Sequence, residues 1–460
     1  MTAPTGSPNR PARRRTGALL AVEVVALCLV VASAPAAWIW LDGTRPADVV
    51  AGASIGPVAS NAGVTTPPGS VGPLQSGAIP SPSASPAVSA SPSPATTPGP
   101  PVGDGTWTAS QNLPYRVWGP GSAVLDDGRV LVVGGTPSSS VAAMASSRVY
   151  DPGSGQWSAT TDMLHARAYP MVVKLKDGSV LVAGGAFNGA PSDAAERYSP
   201  DYGGWLQAGT MNSPRTQGTA TLLDDGRVLV AGGGDAAAPT FAATASAEIY
   251  DPATNAWTSA APMSLPRALH TATLLNDGEV LVAGGATAYT GSLGTVTASA
   301  EIYDPRSNAW HAAAPMSAAR YVGSAAVLAN GQVLVVGGWS FTTDFDPSLA
   351  TAEIYDPAAN LWTATGSMST GRARFSLVPL ADGRLLAAGG VGPTYRMLAT
   401  AELWDPATGQ WQATGSLTTA VMWPAIAVLQ DGRVLIAGGA LDTRATQTTD
   451  VCALYAPAPP

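Results

Sequence analysis

Cysteine and charged residues are scarce in this chain of 460 residues. The two cysteines, Cys28 and Cys452, do not predict a disulfide, because Cys28 lies inside an apolar N-terminal stretch. Lys, Arg, Asp and Glu together make up 12% of the residues. Residues 103–460 carry 18 basic against 28 acidic residues. Phosphate binding needs clustered cations, so this balance argues against nucleic acid as a partner.

Glycine (51 residues) and proline (40 residues) are abundant instead, which favours turns and short strands over helices.

Residues 1–16 are polar and contain three successive arginines, which predicts a basic cytoplasmic tail. Residues 17–41 are almost wholly apolar and long enough to cross a bilayer as one helix, a signal-anchor. A cleaved signal peptide is the alternative, although Pro35 follows the small-residue sequence at 32–34 and disfavours cleavage there.

Residues 42–102 predict a disordered linker. The stretch is rich in Pro, Ser, Ala, Thr and Gly, and such a composition buries too little apolar surface to fold. Frequent proline keeps a chain extended. We therefore expect this segment to hold the following domain, residues 103–460, away from the membrane.

Residues 103–460 repeat with a constant internal spacing. Seven Gly-Gly pairs each end an apolar run, at 134–135, 184–185, 232–233, 284–285, 337–338, 389–390 and 438–439. A tryptophan precedes the first glycine of each pair by 27 residues, at Trp107, Trp157, Trp205, Trp257, Trp310, Trp362 and Trp411. An aromatic residue lies seven residues before the last six of these, at Tyr150, Tyr198, Tyr250, Tyr303, Tyr355 and Trp404.

This pattern resembles that of the kelch-repeat family. The resemblance covers residues 103–460 and implies an all-β, seven-bladed kelch-type β-propeller with four strands per blade, similar to the central domain of galactose oxidase. Within the second unit we expect strands at 169–175, 179–183, 194–198 and 204–207. The fold does not by itself specify a function.

The two ends of the array predict how the ring closes. Trp107 begins the array without a preceding aromatic, and Tyr455 ends it without a following tryptophan. We therefore expect the N-terminal strand at 106–109 to complete the blade begun at 424–455, leaving no open sheet edge.

All variation in repeat length falls between the Gly-Gly pair and the next aromatic. The variable loops therefore join the second strand of each blade to the third, on the face that also holds the links between blades. We call it the variable face and expect ligands to bind there. Its candidate ligand-binding aromatics are Trp118, Tyr289, Trp339, Phe341, Phe345, Tyr395 and Trp423. The alternative is that these rings pack over the channel mouth.

Five of the seven units share an arginine ten residues after the tryptophan and a glutamate two residues before the aromatic. The other two units lack both, with Val117 and Arg148 or Val421 and Ala453 in their place. Joint loss predicts a structural ion pair within the blade. The alternative, from peptide-binding kelch proteins, is that the arginines bind an acidic ligand. The expected pairs are Arg167 with Glu196, Arg215 with Glu248, Arg267 with Glu301, Arg320 with Glu353, and Arg372 with Glu402.

A copper site like that of galactose oxidase requires two histidines, a tyrosine, and a second tyrosine linked to cysteine. Only Cys452 is available, and His165, His270 and His311 are scattered over the repeats. The sequence therefore predicts no catalytic residue, metal or cofactor. A sugar epimerase or mutarotase stays open as the alternative, using acids in the variable loops: Asp235, Asp344 and Asp346.

Together these features predict an extracytoplasmic propeller, anchored in the cell membrane through residues 17–41 or secreted after cleavage. We expect its variable face to bind a surface polysaccharide or an envelope protein. The alternative is an exported carbohydrate-active enzyme. Frequent Ala, Gly and Pro, with Arg preferred over Lys, suggest a bacterial source.

Overall fold

The computed structural model describes residues 105–234, 242–290, 293–340 and 348–458. The predicted tail at 1–16, membrane segment at 17–41 and linker at 42–102 lie outside these ranges. Among the described residues, no helix is long and apolar enough to span a bilayer. The regular secondary structure of the described residues consists of strands, joined by turns and loops, and one short 3-10 turn at Pro393–Tyr395.

Seven four-stranded antiparallel sheets form the blades, which confirms the seven-bladed propeller. The first blade comprises β2 (Gly121–Val124), β3 (Val130–Val133), β4 (Ser147–Asp151) and β5 (Gln156–Ala159). The second comprises β6 (Met171–Lys174), β7 (Val180–Ala183), β9 (Ala190–Ser199) and β10 (Gly204–Arg215), with β8 (Ala186–Phe187) paired to β9. The third comprises β11 (Thr219–Leu222), β12 (Val228–Ala231), β13 (Ala247–Asp251) and β14 (Ala256–Ala260).

The remaining blades follow the same order. The fourth comprises β15 (Thr271–Leu274), β16 (Val280–Ala283), β19 (Ala300–Asp304) and β20 (Ala309–Ala313), with a separate hairpin of β17 (Ala286–Thr290) and β18 (Leu293–Val296). The fifth comprises β21 (Ser324–Val327), β22 (Val333–Val336), β23 (Ala352–Asp356) and β24 (Leu361–Thr365). The sixth comprises β25 (Ser376–Pro379), β26 (Leu385–Ala388), β27 (Ala401–Asp405) and β28 (Gln410–Thr414). The seventh comprises β29 (Ala425–Val428), β30 (Val434–Ala437), β31 (Cys452–Ala456) and β1 (Thr106–Ala109).

The seventh blade confirms the predicted closure by the N-terminal strand. Strand β1 pairs with β31, and Trp107 stands opposite Tyr455 in the register. The indole Nε1 of Trp107 donates to the carbonyl of Gly415 at 2.8 Å. The two aromatic rings lie 5.1 Å apart between centroids. Both ends of the described array therefore meet in one sheet.

Strand bounds in the second blade differ from those expected. The first strand begins at Met171 rather than at Tyr169, because Tyr169 has a left-handed backbone with φ of 52°. Strand β9 begins at Ala190 because β8 pairs with its first residues. Strand β10 runs on beside it to Arg215 across two register shifts.

The Gly-Gly pairs are required where each second strand ends. In the second blade, Gly184 and Gly185 have φ of +61° and +93°. A Cβ at Gly184 would stand 2.5 Å from the carbonyl oxygen of Arg215, and one at Gly185 would stand 2.7 Å from that of Ala168. Only glycine combines this backbone conformation with so close an approach of a neighbouring chain.

His270 provides a pH test of the interface between the third and fourth blades. It is buried, and its Nε2 lies 3.0 Å from Thr219 Oγ1. Burial, followed by the charge of Arg267, lowers the pKa of His270 to about 3. In the unfolded chain the imidazole of His270 takes up a proton near pH 6.5, whereas in the folded chain it stays neutral until about pH 3. Stability therefore falls as the pH drops between these values.

We expect wild type to lose roughly 2 kcal/mol more unfolding free energy between pH 7 and pH 5 than His270→Phe does. Phenylalanine is the matched replacement because Phe375 occupies the equivalent position, thirteen residues after the tryptophan, in the sixth blade. Urea unfolding at the two pH values measures the difference. Equal pH dependence of the two proteins would contradict a buried neutral imidazole.

Candidate functional site

The links between blades and the ends of the second strands meet on the variable face. In every blade, the residue after the Gly-Gly pair forms a β-bridge with the residue eleven after the tryptophan. The seven bridges are Trp118–Thr136, Ala168–Ala186, Thr216–Gly234, Ala268–Ala286, Tyr321–Trp339, Ala373–Val391 and Met422–Ala440. Each blade therefore ends in the same small pairing on this face.

The next residue of each link belongs to a ring that we call the mouth ring. Its seven members all have a left-handed backbone, with φ between 47° and 61°: Gly119, Tyr169, Gln217, Leu269, Val322, Arg374 and Trp423. Six of them are not glycine, so the surroundings must impose a conformation that large side chains rarely adopt. Such imposed strain is concentrated at functional sites in proteins.

Backbone hydrogen bonds join the mouth ring from blade to blade. The N–H of each member donates to the carbonyl of the equivalent residue in the preceding blade, at 2.8–3.2 Å, in six of the seven links. The seventh link, from Gln217 N–H to the Tyr169 carbonyl, does not form. The ring is therefore continuous except between the second and third blades.

An aromatic cluster fills the space inside the ring, and we call it the central plug. It is formed by Trp118, Tyr169, Tyr321, Trp339, Met422 and Trp423, with Tyr395 at its edge. Trp118 stacks on Trp423 with centroids 5.8 Å apart, and both contact Tyr169 edge-on. The ring of Trp339 packs against those of Tyr321 and Tyr395, with centroids 5.8 and 6.0 Å apart. Because most blades contribute to the cluster, it lies where they converge at the mouth of the channel.

Arg374 lies within the plug and is 3% exposed. Its guanidinium carbon is 4.4 Å from the centroid of Trp339 and 4.6 Å from that of Trp423. A guanidinium between two indole faces is attracted by both π systems, and the attraction strengthens as water is excluded. Arg374 thus ties the fifth, sixth and seventh blades together at the mouth.

For two of the candidate aromatics the structure favours the alternative, that the rings pack over the channel mouth. Trp118 is 4% exposed and Trp339 is 1% exposed, because both pack in the central plug. Trp423 and Tyr395 are half-buried at its edge. Tyr289 belongs to β17, but its side chain lies outside the described part. Phe341 and Phe345 lie outside the described residues, as do the acids Asp235, Asp344 and Asp346.

The five arginines and five glutamates singled out in the sequence meet as buried pairs within their own blades. The distances are 2.5 Å for Arg167–Glu196, 2.6 Å for Arg215–Glu248, 2.6 Å for Arg267–Glu301, 2.8 Å for Arg320–Glu353 and 2.5 Å for Arg372–Glu402.

Backbone groups surround each ion pair. In the second blade, Nη1 of Arg167 donates to the carbonyls of Gly184 and Ala194 at 3.0 and 2.7 Å. Glu196 accepts from the backbone N–H groups of Leu164 and His165 at 2.5 and 3.0 Å. In this blade the guanidinium and carboxylate groups are thus satisfied within the protein, which supports the structural role over ligand binding.

The seventh blade carries no charged pair at this place. Val421 and Ala453 replace the arginine and the glutamate, and a small cavity opens beside them. Its walls are formed by Leu417, Thr418, Thr419, Val421, Ile436, Gly438, Val451 and Ala453. In the first blade Val117 packs in the core, while Arg148 turns to Asp162 at 3.4 Å.

Cys452 is buried in β31, and burial raises the pKa of its thiol to about 12. It is therefore a neutral thiol near pH 7. Across the part of the chain that the structure describes, no three His, Cys, Asp or Glu side chains group as metal ligands. His165 lies on the surface, 3.2 Å from Glu196, and His311 lies 3.7 Å from Glu279 within the fourth blade.

The fold and these repeats define a seven-bladed β-propeller, and comparison with known proteins supplies the family. The Kelch motif matches residues 215–264, 267–317 and 320–369. The chain is 32% identical to alpha-scruin of Limulus polyphemus over 152 residues, which are 33% of this chain and 16% of that protein. It is 34% identical to an F-box/kelch-repeat protein of Arabidopsis thaliana over 146 residues, which are 31% of this chain and 36% of that protein. This chain is a kelch-repeat β-propeller.

These relatives are matched over only a sixth to about a third of their own length. They are animal and plant proteins and give no support to the bacterial source suggested by composition. Among solved structures, a fungal alcohol oxidase of the AA5 family, in complex with copper, superimposes with a TM-score of 0.62. It is 20% identical, and the match covers 77% of this chain and 76% of that one. At this identity the likeness shows the fold alone.

The sequence reasoning missed the mouth ring, although a signal for it is present. The ring position lies twelve residues after each tryptophan, inside the interval whose length never changes. Seven blades carry seven different residue types there, at Gly119, Tyr169, Gln217, Leu269, Val322, Arg374 and Trp423. Variation of residue type at a fixed position marks this place as clearly as variation of loop length does.

Proposed function

We propose that this chain is an extracytoplasmic binding module, anchored through residues 17–41, whose channel mouth on the variable face binds a surface glycan or an envelope protein. The mouth ring carries the proposal. Repeats that share their tryptophan, Gly-Gly pair and buried strands place a different residue in each blade at this one position. A constant scaffold with a diversified rim is the arrangement expected of a recognition surface.

The edge of the central plug supplies the contact surface. Tyr169, Tyr395 and Trp423 are half-buried, so each ring keeps one part fixed and another part open to solvent. Rings held in this way bury a large area on binding and lose little entropy. Packing against Trp118 and Trp339 holds them in place before a ligand arrives.

Binding is a better-supported role for this mouth than catalysis. Its cation, Arg374, is enclosed between two indoles, which suits a positioning role. The likeness to an alcohol oxidase extends to the fold, and function depends on the site rather than on the scaffold. An exported carbohydrate-active enzyme is therefore the second candidate, without a specific residue to support it.

We expect Tyr395→Ala and Trp423→Ala each to weaken binding about tenfold, because each removes part of the aromatic edge. The measurement uses the full chain against immobilised polysaccharide and membrane-protein fractions of the source cell, by biolayer interferometry. Tyr202→Ala is the control, because this tyrosine is 84% exposed on the turn between β9 and β10, at the opposite face. If both mouth variants bound as well as wild type, the mouth would not be the site.

A further inference from the structure

The break in the mouth ring leaves polar groups without partners. Within the part of the chain that the structure describes, Gln217 N–H donates to no carbonyl. The Gln217 side chain is half-buried. Thr216 is 5% exposed, and its side-chain hydroxyl has no hydrogen-bond partner. Buried polar groups in native proteins nearly always have partners, so the unpartnered hydroxyl of Thr216 requires an explanation.

On the same side of the mouth, the bridge residues are small and buried. The bridges of the third and fourth blades pair Thr216 with Gly234 and Ala268 with Ala286. In the fifth blade, by contrast, the corresponding bridge pairs Tyr321 with Trp339. The central plug is therefore bulky towards the fifth, sixth and seventh blades. We call the small, polar region formed by Thr216, Gln217, Gly234 and Ala268 the polar notch.

An aromatic edge stands beside the polar notch. Tyr169 is the mouth-ring residue of the second blade, directly preceding Gln217 around the ring. Its ring packs against those of Trp118 and Trp423, with centroids 5.1 and 5.3 Å apart, and the residue is half-buried. Hydrogen-bonding groups thus lie next to a flat apolar surface.

We propose that the polar notch is a subsite for an uncharged sugar residue. One sugar hydroxyl accepts from Gln217 N–H and donates to Thr216 Oγ1, and a second hydroxyl donates to the Gln217 amide oxygen. An apolar face of the sugar ring rests on Tyr169 and Trp423. This assignment rests on the proposed binding at the mouth and names its ligand class. A neutral ligand fits because the groups in the notch are uncharged and the nearby cation, Arg374, is enclosed between Trp339 and Trp423.

Two conservative variants test the notch. Thr216→Val keeps the shape and removes the hydroxyl, and Gln217→Leu introduces the residue that the fourth blade carries at this position, Leu269. The full chain is titrated calorimetrically with neutral hexose oligosaccharides and with uronic-acid oligosaccharides of equal length. We expect neutral oligosaccharides to bind to wild type, and each variant to bind them about tenfold more weakly.

The melting temperature separates a ligand-binding hydroxyl from a structural one. Thr216→Val removes a group without a partner and is expected not to lower it. The matched control is Thr414→Val at the end of β28, whose buried hydroxyl forms a hydrogen bond with the hydroxyl of Tyr455 at 2.8 Å. That control is expected to lower the melting temperature and to leave sugar affinity unchanged.

The outcomes distinguish the notch from the wider proposal. If Thr216→Val and Gln217→Leu bind as wild type does while Trp423→Ala loses affinity, the notch is not a subsite and binding at the mouth stands. If Trp423→Ala and Tyr395→Ala also bind as wild type does, both proposals fail. Binding of uronic-acid oligosaccharides alone, or of no oligosaccharide, overturns the assignment to a neutral sugar.

Discussion

Deletion of residues 105–109 is expected to abolish the closed ring. The deletion removes β1, and with it four residue pairs to β31. It also removes the Trp107 indole bond to Gly415 and the contact of Trp107 with Tyr455. Loss of a packed tryptophan and several hydrogen bonds costs roughly 5 kcal/mol, comparable with the whole stability of an ordinary domain.

Thermal unfolding followed by circular dichroism, with size-exclusion chromatography, measures this effect. We expect loss of the cooperative transition and the appearance of aggregates, because the free edge of β31 can pair with another chain. A five-residue deletion at 93–97, before the described propeller, is the length-matched control and is expected to unfold as wild type does. A deletion of β1 that left the melting temperature unchanged would show that closure does not depend on this strand.

Removal of one partner from a buried ion pair is expected to cost about 3–5 kcal/mol of unfolding free energy. In Glu402→Ala, the Arg372 guanidinium loses its carboxylate, 2.5 Å away, yet stays buried. The double variant Arg372→Val with Glu402→Ala copies the seventh blade, which has Val421 and Ala453 at these positions. It is expected to cost less than Glu402→Ala alone, because no buried charge is left unpaired.

Urea unfolding of wild type, both single variants and the double variant gives the coupling energy. The surface pair Arg433–Asp431 is the control: both side chains are partly exposed, and Asp431→Ala is expected to change stability by less than about 1 kcal/mol. Additive effects of the Arg372 and Glu402 substitutions would mean that the two residues do not act as a pair.

Much of the fold could be read from the chain because each repeat makes the same local contacts. The distance from tryptophan to Gly-Gly spans one link between blades and one β-hairpin of constant size, so its recurrence predicts the number of blades. The arginine precedes that hairpin and the glutamate lies on the third strand, which pairs with it, so their joint presence or absence predicted contact. Strand bounds in the second blade were wrong where β8 and the longer β9 and β10 add pairing beyond the four strands expected.

The candidate site was harder to predict because burial at the mouth is a property of the closed ring. Trp118 and Trp339 look exposed in a single blade, since each follows or precedes a loop. In the ring they are covered by Trp423, Tyr321 and other side chains. The reasoning placed Trp118, Trp339 and Trp423 on the variable face, where the structure has them, but it treated the first two as exposed.

The sequence alone therefore determined the seven blades, their four-stranded order, the closing strand at 106–109 and the arginine–glutamate positions, because each follows from a spacing that recurs within the chain. Tertiary structure alone decided which side chains meet at the axis. Trp118 stacks on Trp423 from opposite ends of the array, Arg374 lies between Trp339 and Trp423, and the mouth ring breaks at Gln217. These contacts join residues of different blades, and no periodicity within a repeat specifies how seven different side chains pack when the ring closes.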